Sequence, residues 1–224
     1  MNRAAPDRPH TITALRRQRE KENRTRTILA TAERLFCEHG YPNTKMQDIA
    51  QEAEIAVGTV YFHFRNKEDL LLQLMDDIAF NIRNILGEAF QNGKTPMERF
   101  ENAGRAFFEK FCLGHPAHLI ILLRESVGIT AEVEARRRAI FDRFKEDVHA
   151  AISEVMAEYV LSNPLVAEVT SVAIVGMLER VAYQYLIWQD RSGDMDTITT
   201  EALSFIRGGL RSVLRNLRAR ENEG

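Results

Sequence analysis

The sequence predicts an all-α fold of about nine helices. Hydrophobic residues recur at helical spacing in almost every segment, and no run alternates between apolar and polar residues for long enough to form a strand. Glycine and proline clusters separate the helical segments. Hydrophobic residues make up 45% of the 224 residues, which is enough to bury a core.

The first segment, residues 1–22, is predicted to be a mobile basic arm whose end extends into the first helix. It contains Pro6 and Pro9, followed by a polar run that begins at Arg16. Such a segment has too few apolar side chains to pack as a structured unit of its own.

Residues 23–68 are predicted to form a small helical domain. Its first helix carries one apolar stripe and ends at Gly40, a natural C-terminal cap. Two short helices follow, near 46–53 and 57–64, and a connection of three residues joins them. Two short helices with a tight turn between them are typical of a helix-turn-helix.

Residues 69–224 are predicted to form a second, larger helical domain. A long helix begins at Lys67 and runs to Gly87 or Gly93, and breaks at glycine and proline leave room for five more helices. These are predicted near residues 96–112, 117–126, 131–161, 165–189 and 196–219.

Composition argues against membrane and disulfide-linked classes of protein. No apolar run approaches the roughly 20 residues that span a bilayer. The polar N-terminus lacks the apolar stretch of a secretory signal, so a cytoplasmic location is expected. Cys37 and Cys112 are isolated, and we interpret them as buried small hydrophobic residues rather than as disulfide partners or metal ligands.

The charge is distributed unevenly along the chain. Residues 1–67 carry a net charge of +4, whereas the remainder carries −6. The basic end is therefore the candidate site for a polyanion.

An enzyme is the main alternative class, and the sequence offers little for it. His115 and His118 with Glu125 resemble a metal-ligand set, but Pro116 interrupts the segment and the two histidines lack i, i+4 spacing. No phosphate-binding loop or nucleophile motif is present. We expect no catalytic residue, metal or cofactor, and a DNA-binding structural protein without a ligand remains the second alternative.

The predicted second short helix has the residue types of a DNA-recognition helix. Val57, Gly58 and Thr59 form a surface of low relief near its start, suited to base edges. Tyr61 and His63 flank this surface as candidate phosphate ligands.

Three motifs together resemble the DNA-binding domain of the tetracycline-repressor (TetR) family. They are Gly40-Tyr41, the segment from Thr44 to Ala50 (TKMQDIA) and the segment from Gly58 to Leu70 (GTVYFHFRNKEDL). This resemblance implies three N-terminal helices for DNA and a C-terminal domain that binds a small molecule and dimerises. By position it implies DNA-backbone contacts for Thr44, Lys45, Gln47, Tyr61, His63 and Lys67, and base contacts for Val57, Gly58 and Thr59.

This chain departs from the family pattern at two positions. Glu54 stands in the turn where glycine is frequent, and Ala56 stands where serine often begins the recognition helix. Alanine has no side-chain oxygen to cap the helix, which costs on the order of 1 kcal/mol of local stability. We expect Glu54 to point away from DNA.

Large apolar residues in the C-terminal domain predict an elongated ligand pocket, although ordinary core packing explains each of them individually. The candidate pocket residues are Phe107, Phe108, Phe111, Leu122, Phe141, Phe144, Met177 and Tyr183. A small hydrophobic effector is expected, with a long-chain acyl-CoA as the first choice and a drug-like or aromatic hydrophobe as the second. Candidate phosphate partners for the CoA at the mouth are Arg105, Lys110, Arg124 and Arg136, Arg137 and Arg138.

The last two helices carry apolar stripes that we interpret as a dimer interface. Two such helices from each subunit form a four-helix bundle across a two-fold axis, as the resemblance implies. The candidate interface residues are Val172, Gly176, Glu179, Tyr183, Ile206, Leu210, Val213 and Leu214. A homodimer predicts a palindromic operator on double-stranded DNA.

Overall fold

The computed structural model describes residues 9–223, with side chains described for residues 14–220. This part of the chain is 84% helical, with nine α-helices and no strand, so the predicted all-α fold class is confirmed. The chain divides into two compact units, the first ending at Leu74 and the second beginning at Met75. The sequence predicts the division after residue 68; the fourth helix instead contributes its first two turns to the N-terminal unit.

The N-terminal unit consists of three helices and the start of a fourth. They are α1 (Pro9–His39), α2 (Met46–Glu52), α3 (Val57–His63) and α4 (Lys67–Gln91). Ile28, Phe36, Ile49, Val60 and Leu70 are fully buried and form the core of this unit. The apolar stripe of α1 thus packs against α2, and α2 in turn packs against α3.

The start of α1 differs from the sequence prediction. Residues 9–22, expected to belong to a mobile arm, are helical; residues 1–8 of that arm lie outside the described residues. Side-chain pairs one turn apart stabilise this part of the helix, with Arg16 Nε 3.1 Å from Glu20 Oε1 and Gln18 Nε2 2.7 Å from Glu22 Oε1. Arginine, lysine, glutamine and glutamate also have high helix propensity, so the polar run extends α1.

The C-terminal unit contains the rest of α4 and five further helices. They are α5 (Pro96–Ala106), α6 (Pro116–Ile120), α7 (Ala131–Glu158), α8 (Pro164–Ala182) and α9 (Met195–Glu223). Three of them continue in wider π-helical turns, namely α5 over Phe107–Cys112, α6 over Ile121–Glu125 and α8 over Tyr183–Trp188. Within this unit α8 packs against both α7 and α9.

Side-chain caps fix where three of these helices begin. Thr95, Thr130 and Asn163 each accept a hydrogen bond from the backbone N–H three residues later, at 3.1 to 3.2 Å. These caps satisfy donors that the first turn leaves unpaired. Proline at the first position of α5 and α8 has the backbone torsion that a helix start requires.

No single helix in the described part of the chain is long and apolar enough to cross a membrane. One pair of consecutive helical segments, Pro96–Cys112 and Pro116–Glu125, is together long and apolar enough to cross a membrane, by length and composition only. The two segments are bent by 98° relative to each other.

Candidate nucleic-acid interface and ligand cavity

The turn between α2 and α3 depends on one residue in a left-handed conformation. Glu54 has φ of 55°, and the next residue, Ile55, donates its N–H to the carbonyl of Ala50 at 2.9 Å. Left-handed backbone favours glycine because glycine has no Cβ to clash. The structure therefore explains why glycine is frequent at this position of the pattern, and Glu54 itself is exposed.

Most of the residues expected to bind DNA are accessible on α2 and α3. Lys45 and Gln47 are exposed at the start of α2. On α3, Val57, Gly58 and Tyr61 are exposed and Thr59 is half-buried. Apart from its chain neighbours and the backbone of its own helix, no described atom lies within 4 Å of the position that a Cβ on Gly58 would occupy, so the surface around it is open.

Thr44 is an exception among the expected backbone contacts, because its side chain points into the domain. The residue is 2% exposed, and its hydroxyl lies 3.2 Å from the carbonyl oxygen of Leu35 and 3.0 Å from that of Gly40. A hydroxyl buried on these two acceptors fixes the end of α1 and does not reach a phosphate. The expectation of a direct DNA contact at Thr44 is therefore wrong for this structure.

Lys67 also has partners inside the domain. Its ammonium donates to the carbonyl oxygen of Tyr41 at 2.5 Å and lies 3.3 Å from that of Pro42. The same nitrogen lies 4.2 Å from the centre of the Tyr41 ring, a cation–π contact. Burial lowers the pKa of Lys67 below its usual value. These contacts join the start of α4 to the turn that precedes α2.

His63, at the end of α3, is held by α1. Its Nδ1 lies 2.8 Å from the hydroxyl of Thr25. Burial lowers the pKa of His63, and the positive charges of Lys21 and Arg24 lower it further. Sequence reasoning did not identify this contribution of α1 to the surface beside α3.

The C-terminal unit encloses a cavity of about 1000 Å³. Helices α4 to α9 all contribute to its walls, and the π-helical turns after α5 and α6 supply Phe107, Phe111 and Leu122. Aromatic rings line one wall, with the Phe107 ring centre 6.1 Å from that of Phe111 and 6.2 Å from that of Phe144. Cavities of this size and composition hold apolar small molecules.

The structure brings five of the eight predicted pocket residues to the cavity wall: Phe107, Phe111, Leu122, Phe141 and Phe144. The other three do not line it. Phe108 is fully buried in packing, Met177 is half-buried away from the cavity, and the Tyr183 ring packs edge-on against Trp188 at 5.1 Å.

One wall of the cavity was missed by sequence reasoning. It is formed by α4 and includes Phe80, Ile82, Leu86 and Phe90. Ile82, Leu86 and Phe90 recur at i, i+4 and i+8 along α4, which was the available signal.

Charged residues line the cavity together with the apolar ones. The lining includes Arg83, Arg136 and Arg143, and five carboxylates, those of Asp76, Glu88, Asp147, Glu154 and Glu179. Arg83 Nε lies 2.9 Å from Asp147 Oδ2, and Arg136 pairs with Asp76, so both pairs connect α4 to α7. Arg143 pairs with Glu146 at 3.1 Å.

The predicted phosphate partners are mostly elsewhere. Of the basic residues expected at the mouth, Arg136 alone is among the lining residues. Arg105 pairs with Glu109 at 2.8 Å and Arg124 with Glu125 at 2.6 Å. Lys110, Arg137 and Arg138 do not line the cavity either.

The residues of α8 and α9 predicted to form the dimer interface differ in burial: some lie in the core of the subunit and others are accessible. Ile206, Leu210 and Leu214 are 1 to 7% exposed and belong to the core of the subunit, so their assignment to the interface is wrong. Glu179, Tyr183 and Val213 are half-buried, whereas Val172 and Gly176 are exposed. Further exposed apolar residues on these helices are Leu165, Val169 and Phe205.

The histidine pair and the cysteines form no metal site in the described part of the chain, where no cluster of three or more metal-ligating side chains exists. The His115 and His118 rings stack at 4.8 Å, and His118 Nδ1 lies 3.3 Å from the Asn81 side-chain nitrogen. Neither Cys37 nor Cys112 forms a disulfide bond; Cys112 is buried, which raises its pKa, and Cys37 is half-buried.

The sequence of the N-terminal unit is similar to those of known bacterial regulatory proteins. Residues 28–74 match the family model described as bacterial regulatory proteins, tetR family. The uncharacterized HTH-type transcriptional regulator YerO of Bacillus subtilis is 36% identical over 112 residues. That alignment covers 48% of this chain and 37% of YerO.

Two solved structures show how far the similarity extends along the fold. The transcriptional regulator FadR of Bacillus subtilis, solved with stearoyl-CoA, superposes with a TM-score of 0.71 at 19% identity, covering 80% of this chain and 96% of FadR. AibR, solved with isovaleryl coenzyme A and operator DNA, gives a TM-score of 0.66 at 25% identity, covering 81% of this chain and 97% of AibR. The similarity of fold therefore includes both units.

Proposed function

We propose that this chain, whose residues 28–74 match the family model of bacterial regulatory proteins of the tetR family, is a homodimeric, cytoplasmic transcriptional repressor that binds operator DNA and is released by a hydrophobic ligand. The single observation that carries the ligand response is the 1000 Å³ cavity of the C-terminal unit. A DNA-binding structural protein has no need for such a cavity, and this argues against that alternative.

DNA recognition is assigned to the exposed face of α3. Val57, Gly58 and Thr59 meet base edges, while Lys45, Gln47 and Tyr61 hold the phosphate backbone. Five of these six residues are exposed on two adjacent short helices and Thr59 is half-buried, which supports this assignment. Thr44 and Lys67 act indirectly, by fixing the ends of the helices that carry these residues.

The test of DNA recognition is a binding titration. Duplexes are selected from a randomised pool by the purified protein, and their affinity is compared with that of scrambled duplexes as salt is raised. A repressor retains a preference for the selected sequence, which should be palindromic. The Thr59→Ala variant should blur one position of that sequence by about 1 kcal/mol, and equal affinity for all duplexes at every salt concentration refutes the proposal.

For the effector we propose a molecule with a long apolar part, and a long-chain acyl-CoA is the first candidate. The aromatic lining and the volume of the cavity support the apolar part. FadR and AibR, whose folds are similar, were solved with acyl-CoA molecules. The acyl chain would occupy the cavity and the nucleotide would remain at its mouth.

The charges of the cavity favour a second candidate, a neutral hydrophobe such as an aromatic or drug-like compound. Five carboxylates outnumber the three arginines of the lining, and each arginine has a carboxylate partner. An anionic head group would therefore meet an excess of carboxylates and arginines whose charge is already partly neutralised, and a neutral ligand avoids this electrostatic cost.

Operator release distinguishes the two candidates. Acyl-CoA species and free hydrophobes are added to the complex of protein and selected duplex, after native mass spectrometry of the purified protein has identified any retained ligand. Ala103→Phe fills the cavity and should abolish release while DNA binding persists, whereas Ala135→Phe, on the exposed surface of α7, should leave release intact. Release by hydrophobes but by no acyl-CoA refutes the first candidate alone.

The homodimer is assigned to the exposed apolar residues of α8 and α9. Leu165, Val169 and Val172 lie along one face of α8 at i, i+4 and i+7, and Phe205 is 73% exposed on α9. Large apolar side chains exposed in a row on a subunit mark an interaction surface. Two-fold symmetry pairs this surface with itself, as in a four-helix bundle.

A further inference from the structure

The surface beside α3 includes a concave site that the helix-turn-helix alone does not form. Residues from the N-terminal half of α1 and from α3 enclose about 340 Å³. The α1 side supplies Arg17, Glu20, Lys21 and Arg24, and the α3 side supplies Gly58, Thr59, Phe62 and His63. We call this site the α1–α3 cradle.

The cradle is positively charged because of the spacing along α1. Arg17, Lys21 and Arg24 follow one another at i, i+4 and i+7, so they share one face of the helix. Within the described side chains, none of the three has a carboxylate partner within 4 Å, whereas Glu20 is paired with Arg16 at 3.1 Å. The exposed cations of this face therefore lack neutralisation from the protein.

The α3 side of the cradle offers groups that suit a sugar-phosphate backbone. The Phe62 ring is 76% exposed, which is unusual for an aromatic side chain on a short helix and leaves an apolar face available to a deoxyribose. His63 is positioned by the Thr25 hydroxyl at its Nδ1. When that hydroxyl donates to Nδ1, the other ring nitrogen carries the proton and serves as a donor.

We infer that the α1–α3 cradle holds a phosphate of the DNA strand that borders the recognition helix, with Arg17, Lys21 and Arg24 as its cations. The inference rests on the proposed operator binding and adds a second helix to the DNA interface. The helical start of α1 is what places these cations; in a mobile arm they would not be held beside α3.

The test compares two double variants of α1 that remove equal charge. Lys21→Ala/Arg24→Ala empties the cradle of two cations, while Arg19→Ala/Arg26→Ala removes two exposed arginines from the opposite face of the same helix. Alanine keeps α1 helical. Affinity for a duplex selected by the wild-type protein, with a full helical turn of flanking sequence on each side, is measured by fluorescence anisotropy between 50 and 200 mM salt.

One phosphate per cradle gives two per dimer, and each contributes about 0.9 to the slope of log affinity against log salt. The cradle variant should therefore lose about 1.8 from this slope. Over a fourfold rise in salt the wild-type protein should then lose about 12-fold more affinity than the cradle variant does. The opposite-face variant should retain the wild-type slope, and Phe62→Ala should lower affinity without changing the slope.

Two results overturn the inference while leaving the proposed function intact. One is a cradle variant with the slope and affinity of the wild-type protein. The other is an equal fall in slope for both double variants, which indicates a general effect of net charge. A wild-type protein with no preference for the selected duplex refutes the proposed function, and the inference with it.

Discussion

Replacing Lys67 by methionine tests whether this lysine supports the domain or binds a phosphate. Methionine keeps much of the apolar stem and removes the ammonium, which lies 2.5 Å from the Tyr41 carbonyl oxygen and 4.2 Å from the Tyr41 ring centre. A hydrogen bond from a charged donor contributes about 1.5 to 3 kcal/mol, and a partly exposed cation–π contact about 0.5 to 1 kcal/mol. Desolvation of the ammonium offsets part of this sum, so we expect a loss of about 2 kcal/mol.

Amide hydrogen exchange measures this loss where it should occur. A destabilisation of about 2 kcal/mol lowers the protection of the α2 amides about 30-fold, while the salt dependence of DNA binding stays unchanged. Lys45→Met is the matched control, because Lys45 is also a lysine of the N-terminal unit but is exposed at the start of α2. It should leave exchange unaltered and make the salt slope shallower. Unchanged protection with a shallower slope in Lys67→Met would show that Lys67 binds phosphate and refute this reasoning.

Three further predictions concern a backbone, an interface and a titrating group. Glu54→Gly should raise the free energy of unfolding by about 1 kcal/mol, because it relieves the left-handed strain at φ of 55°; a lower thermal midpoint contradicts this. Val172→Glu should yield a monomer in sedimentation, since it places an unpaired carboxylate in the proposed interface. A variant that still dimerises with wild-type affinity would show that the interface lies on another surface. The pKa of His63 is lowered in the folded protein. Below about pH 6.5, His63 therefore binds a proton more readily in the unfolded chain than in the folded protein. Stability should therefore fall as pH drops from 7 toward 5, and urea titrations of His63→Gln should show a smaller fall; an identical fall shows that other groups cause it.

The N-terminal unit could be predicted from the sequence because its signals are local. The glycine at position 40, the three-residue connection and the apolar stripe of the first helix each determine structure within a few residues. Thr44 and Lys67 were harder, because a polar residue in a motif has the same sequence appearance whether it faces solvent or caps a carbonyl. Their buried partners, the Leu35 and Tyr41 carbonyls, are backbone atoms that no residue type reveals.

The C-terminal unit was harder to predict because helical periodicity shows that a face is apolar but not what covers it. Ile206, Leu210 and Leu214 form a strong stripe that packs inside the subunit, whereas the exposed row on α8 begins at Leu165. A cavity wall depends in addition on how several helices are rotated about their axes. Single-helix patterns therefore identified Phe107 and Phe111 but missed the contribution of α4.

Helix α4 limits how the proposed ligand can affect DNA binding. Its first turns bury Leu70 and Leu71 in the N-terminal unit, and its later turns line the cavity. We propose that a ligand in the cavity acts on α4 through two ion pairs with α7, those of Arg83 and Arg136, and through the apolar α4 residues of the lining. Partly exposed ion pairs contribute about 0 to 1 kcal/mol each, so both together supply at most about 2 kcal/mol. A hundredfold release of operator requires a coupling of about 2.7 kcal/mol. The apolar contacts of the ligand with α4 must therefore supply the remainder, which is why the length of the apolar part, rather than the charge of the head group, should determine how strongly an effector acts.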